Sequence, residues 1–157
     1  MEELEVLVAT RTGALLPAYA TSSSSGIDLH ACLEAPVTIN PLERALVPTG
    51  IFVSIPEGYE AEVRPRSGIA HRHGVTVLNS PGTIDSDYRG EVKVLLINLG
   101  QAPFVVQNSD RIAQMVFKSV IKARWRLVDA LPRSDRGEGG FGSTGVRGFL
   151  DEPLSPA

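Results

Sequence analysis

Carboxylates and phosphate-type donors stand in this sequence at places that a purely structural chain would fill otherwise. Between the β-rich runs VTVL and VKVLLI lies NSPGTIDSDYRGE, residues 79–91. A tight hairpin turn needs only a few Gly, Asn or Asp residues, whereas this connection carries Asp85, Asp87, Tyr88, Arg89 and Glu91. Asp28 interrupts the run Ile27–Leu29, where β propensity disfavours a carboxylate. Asp110, in SDRIAQM, fits an ordinary turn instead. Donors suited to phosphate oxygens are dispersed over separate segments: Arg66-Ser67-Gly68, Gln114, and Arg136 followed by a glycine-rich stretch. Mg²⁺ takes oxygen ligands, retains waters and bridges polyphosphates. Metal-assisted attack of a carboxylate-polarised water on a nucleotide phosphate is the chemistry these parts can serve.

Other chemistries find no support. His71 and His73 are two residues apart, so on a helix they point to different sides. His30 is isolated, and no Cys or carboxylate stands at zinc-ligand spacing. There is no GxSxG, no CxxC and no Cys/His pairing. GFGSTG (140–145) is not a Walker loop, because no lysine precedes Ser143 or Thr144.

The elements that must position these residues are short and β-like. The chain has 157 residues, enough for one ordinary domain with its own core. Apolar runs recur at 4–9, 26–32, 37–39, 44–55, 59–64, 75–78, 91–99, 104–107, 112–117 and 123–130, with Pro and Gly between most of them. This spacing predicts an all-β sandwich, jelly roll or barrel. One short helix is expected, with Ser67 as its N-cap, Gly68 to His73 as its body and Gly74 as its stop. Its free N–H groups beside Arg66 would favour an anion. From Arg133 the composition turns Gly-rich, which predicts a catalytic domain over 1–132 and a flexible arm over 133–157. Phe141 stands alone among the arm's glycines, placed to stack on a ring.

Charge and cysteine usage bound the setting. The net charge of −3 argues against a broad grip on a nucleic-acid backbone. No apolar run reaches the length of a membrane span, and the acidic start MEELEVLV lacks the basic opening of a signal peptide. Cys32 is the single cysteine, expected as a small buried hydrophobe in a reducing compartment. A soluble, cytoplasmic protein is the expectation.

Five segments, SGIDLHA (25–31), RPRSGIA (64–70), NSPGTIDSDYRGEV (79–92), SDRIAQM (109–115) and RGEGGFGSTG (136–145), resemble in order and spacing the five motifs of the homotrimeric dUTPase family. Ser25 and Ile69 are small departures, standing where alanine and leucine are usual. The resemblance implies a distorted jelly-roll β-barrel that assembles as a trimer, with active sites shared between subunits. It implies hydrolysis of dUTP to dUMP and pyrophosphate, lowering dUTP and supplying dUMP for thymidylate synthesis. By similarity Asp85 activates the water that attacks the α-phosphorus. Asn79 and the backbone of Gly82, Thr83 and Ile84 would read uracil, and Tyr88 would pack under the sugar and exclude a ribose 2′-hydroxyl. Arg66, Ser67, Gly68 and Gln114 would hold the phosphates. Arg136, Phe141, Gly142, Ser143 and Thr144 would close over the nucleotide, and Asp28 would reach Mg²⁺ through water. Asp87 reads as a solvated turn residue, while Arg89 and Glu91 are left open. The related dCTP deaminases would need a glutamate where this chain has Leu95. A nucleotide-binding regulator on the same fold is the alternative of another class: intact Asp85, Tyr88 and fifth motif argue against loss of catalysis and leave an added regulatory role open.

Overall fold

The computed structural model of the protein describes residues 3–140, so Phe141, Gly142, Ser143 and Thr144 lie outside the described residues. Among the described residues, eleven strands and one helix follow in order. They are β1 (Leu7–Thr10), β2 (Ala18–Tyr19), β3 (Ile27–His30), β4 (Val37–Ile39), β5 (Arg44–Ser54) and β6 (Tyr59–Arg64), then α1 (Ser67–His73). After it come β7 (Val75–Val77), β8 (Gly82–Ile84), β9 (Glu91–Asn98), β10 (Phe104–Val106) and β11 (Arg111–Ser119). Strands β1-β5-β9-β7 make one sheet, β2-β3-β11-β6-β8 a second, and β10-β4 a two-stranded ribbon. Every strand pair is antiparallel.

Alternation builds the core. In β9, Val92, Val94, Leu96 and Asn98 point inward while Lys93 faces out. The three apolar ones join Val47, Ile51 and Val53 of β5, Leu29 of β3, Ala61 and Val63 of β6, Ile84 of β8 and Met115 of β11 in one cluster. Asn98, the polar residue on that face of β9, is fully buried but satisfied. Its Nδ2 donates to the carbonyls of Ile39 (2.9 Å) and Ala102 (2.8 Å), and its Oδ1 accepts from Gly100 N–H (2.9 Å). The β5/β9 ladder is broken between Pro48 and Ile51, where Thr49 and Gly50 are inserted. A bulge is one of the few places a sheet tolerates proline.

The chain divides into two compact units, Met1–Lys122 and Ala123–Ala157. The strand expected over 123–130 does not form. Among the described residues no strand pairs with it, and Trp125 and Leu127 are 93% and 100% exposed, so neither burial nor a ladder holds an extended pleat there. The structure adds two strands absent from the sequence reading, β2 and β8. It also moves the helix start: α1 begins at Ser67, with extended Arg66 as the N-cap and no side-chain capping bond. Gly74 ends the helix as expected, in the left-handed region at φ 68°. Cys32 is only partly buried.

Outside the core, β6 and β11 carry an ionic cluster. Glu62 is nearly buried between Arg64 (Nη2–Oε2 2.6 Å) and Lys118 (Nζ–Oε1 3.2 Å). The hydrogen bond from Arg64, then that from Lys118, holds its carboxyl below the usual 4.5. A folded-state value below the unfolded one means that Glu62 adds stability above pH 4.5 and loses it as pH falls through the folded value. Thermal melts across an acid series should therefore fall more steeply for the wild type than for Glu62→Gln. Parallel curves would remove this contribution.

Candidate active site

The long connection singled out in the sequence does two jobs at once. Strands β7 and β9 pair as a hairpin, Val77 opposite Leu96. Between them the chain crosses to the other sheet, where Gly82, Thr83 and Ile84 pair with Val63, Glu62 and Ala61 of β6. Gly82 suits this crossing, because a Cβ there would lie 3.0 Å from Nδ2 of Asn79. The Asn79 amide thus lies against the first residue of β8, and the Ser80–Pro81 peptide between them is cis.

Asp85 follows β8 directly and is exposed. Its carbonyl accepts the Tyr88 N–H at 3.1 Å, closing a four-residue turn. Arg89 Nη1 braces that turn by donating to the carbonyls of Ser86 (2.7 Å) and Tyr88 (2.8 Å). Asp87 is exposed on the turn. The Tyr88 hydroxyl donates to the Glu91 carbonyl at 3.0 Å, and the ring lies so close to Gly90 that any Cβ there would collide with it. Thr83, Ile84, Asp85 and Tyr88, with Leu46 and Glu91, line a concavity of about 420 Å³. The lining combines apolar side chains with two carboxylates and a phenol, which suits a flat, partly polar ring.

A second concavity, of about 480 Å³, gathers the phosphate-type donors Arg66, Ser67, Gly68 and Gln114 around Asp28. Register explains the assembly: Gln114 of β11 stands opposite both Asp28 of β3 and Arg64 of β6, so three neighbouring strands bring these residues to one level. Gln114 Nε2 donates to the Pro65 carbonyl at 3.2 Å, and its Oε1 occupies the space a Cβ on Gly26 would need. That is why glycine precedes Ile27-Asp28. Asp28 is held on both oxygens, Oδ1 by Arg66 Nε (3.0 Å) and Oδ2 by Arg111 Nη1 (3.3 Å). Arg66 Nη1 also donates to the Arg111 carbonyl at 3.2 Å. Arg72, whose Nε donates to the Gly68 carbonyl, completes the rim. Neither Arg111 nor Arg72 is among the site residues that the sequence points to. Only strand register reveals Arg111, and only the helical i, i+4 spacing from Gly68 points to Arg72.

Asp110 acts as the expected turn residue, its Oδ2 accepting the Gln107 N–H at 2.8 Å. Arg136 belongs to the second unit, where its Nε donates to the Gly139 carbonyl at 2.7 Å. Among the described residues no three His, Cys, Asp or Glu side chains converge as metal ligands. Asp28 is the one carboxylate in the donor-rich concavity. Two guanidinium contacts use part of its acceptor capacity, since each carboxylate oxygen offers about two lone-pair sites. A water-mediated approach to a cation is compatible with that occupancy.

Residues 13–145 match the dUTPase family profile. The chain is 54% identical over 143 residues to a deoxyuridine 5′-triphosphate nucleotidohydrolase of Treponema denticola, covering 91% of this chain and 99% of that protein. To its namesake from Roseobacter denitrificans it is 57% identical over 135 residues, covering 85% and 89%. Its fold superposes on a Staphylococcus bacteriophage 80alpha dUTPase with dUpNHpp at a TM-score of 0.82, with 24% identity and 90% and 99% coverage. Two concavities built by a crossing hairpin and a three-strand junction, on a mostly β fold, therefore sit in a chain that belongs to the dUTPase family.

Proposed function

We propose that this protein hydrolyses dUTP to dUMP and pyrophosphate. The base and sugar occupy the concavity of the 79–91 hairpin. Asn79 and the backbone of Gly82, Thr83 and Ile84 contact uracil, and Tyr88 underlies the deoxyribose. Asp85 orients a water toward the α-phosphorus and takes its proton. The new bond is from water oxygen to phosphorus, and the bond that breaks is from that phosphorus to the bridging oxygen, so pyrophosphate leaves. Arg66, Ser67, Gly68 and Gln114 bind phosphate oxygens. Mg²⁺ bound with the triphosphate would supply charge neutralisation, and Asp28 would hold it through water. Arg136, Phe141, Gly142, Ser143 and Thr144 close over the nucleotide from an arm spanning 133–157.

The observation that carries this reading is the placement of Asp85 directly after β8, in a pocket that Tyr88 also lines. The same register supports sites shared between copies of the chain, as in a homotrimer. Ile84 stands level with Ala61, so Asp85 continues toward the Glu60 level, while the chain reaches Arg66 only past Arg64, at the other end of β6. Four strand steps separate Glu60 from Arg64, about 13 Å. The α- and γ-phosphorus atoms of one triphosphate are only two bridging oxygens apart. One nucleotide is thus better served by the hairpin of one copy and the Arg66 cluster of another. Trp125, Leu127 and Leu131, all strongly exposed, offer apolar surface for such an assembly. No helix among the described residues is long and apolar enough to cross a membrane. The lone cysteine suits the reducing cytoplasm.

Pyrophosphate release across dUTP, dTTP, dCTP and UTP with Mg²⁺ tests the reading. Turnover of dUTP with near silence on the other three is expected. Equal turnover of all four would remove the base pocket.

A further inference from the structure

The wall beside Tyr88 contains a carboxylate to which the reading above gives no part. Glu91 opens β9 and lines the same concavity as Asp85 and Tyr88, yet its side chain is only 12% exposed. A carboxylate so covered needs partners. Its Oε1 accepts the Gly50 N–H at 2.8 Å and lies 3.6 Å from Arg11 Nη2, while Oε2 lies 3.8 Å from Lys93 Nζ. Gly50 sits in the β5 bulge at φ 68°, where a Cβ would come within 2.6 Å of the Ala14 Cβ. The N–H offered to Glu91 therefore comes from a backbone turn and a close approach that only glycine permits. At its other end, the Glu91 carbonyl accepts the Tyr88 hydroxyl. The residue links the bulge to the tip of the aromatic ring.

We propose that Glu91 is a positioning residue for sugar selection. By pinning the start of β9 to the β5 bulge, its carboxylate fixes the carbonyl that holds the Tyr88 hydroxyl, and with it the ring that excludes a ribose 2′-hydroxyl. This rests on the part given to Tyr88 above. A tyrosine half exposed on a turn has freedom to tilt about its χ angles. The hydroxyl bond removes that freedom only if the accepting carbonyl is itself held.

The test compares kcat/KM for dUTP and for UTP in the wild type and in Glu91→Ala, Glu91→Asp and Glu91→Gln, with a thermal melt of each. Glu91→Ala is expected to lower the dUTP:UTP ratio about tenfold or more, since misplacement on the ångström scale carries effects of that order. Glu91→Gln, whose amide oxygen can still accept the Gly50 N–H, should restore most of the ratio. Glu91→Asp, one methylene shorter, should fall between them. A generally weakened fold would lower both activities together and leave their ratio unchanged. An unchanged ratio in folded Glu91→Ala, or in Glu91→Asp where the alanine variant does not fold, overturns the inference. So does a glutamine variant as unselective as the alanine one. Equal use of dUTP and UTP by the wild type overturns the reading of Tyr88 itself, which separates the two failures.

Discussion

Asp85→Asn is expected to bind dUTP much as the wild type does while turning it over about a hundred to ten thousand times more slowly, the usual contribution of a positioned general base. Asparagine preserves the shape and one acceptor oxygen at the end of β8. The turn behind it depends on the Asp85 carbonyl, not the side chain, so Tyr88 should stay in place. What is lost is a group able to receive the water's proton. Titration with a non-hydrolysable dUTP analogue would report binding, and single-turnover pyrophosphate release would report chemistry. Normal chemistry in this variant would take Asp85 out of the mechanism.

The second large effect is expected at Arg66. Asp28 and the Arg111 carbonyl hold two parts of its fork, which orients the remaining N–H groups toward the donor-rich concavity. Arg66→Gln removes a fixed positive charge and leaves Asp28 with Arg111 alone. A hydrogen bond to a charged group contributes roughly 1.5–3 kcal/mol, or about ten- to a hundredfold in kcat/KM. The loss should appear mainly in KM, because the phosphates are charged before and during reaction. It should also be larger for the triphosphate than for dUMP binding. Unaltered kcat/KM would show that the cluster does not grip substrate.

Much of this arrangement can be read from residue order, and the limits have physical causes. Apolar runs rich in β-branched residues, such as VKVLLI in β9, announce themselves because the core must be filled. Gly74 announces the helix end because few other residues take a positive φ. The three residues of β8 do not, since Gly-Thr-Ile inside a polar connection owes its strand character to a partner some twenty residues earlier. ARWRLVDA alternates convincingly yet forms no strand, because propensity without a pairing edge holds nothing. Asp28 is a locally disfavoured residue and so stood out, but its two arginine partners lie 38 and 83 positions away. Glu91 was ambiguous for the same reason. Its meaning depends on Gly50, and no local pattern in either segment names the other.

The crossing of β8 has a consequence for how this protein can vary. An ordinary surface loop absorbs insertions because it answers to nothing beyond its own two ends. Here the segment proposed to contact substrate is stitched into one layer by β8 while both its ends are anchored in the other by β7 and β9. A lengthened or shortened pocket would tug on both layers at once. Changing what the pocket accepts by altering its length therefore means refolding the seam of the protein, and single side-chain exchanges are the cheaper evolutionary route.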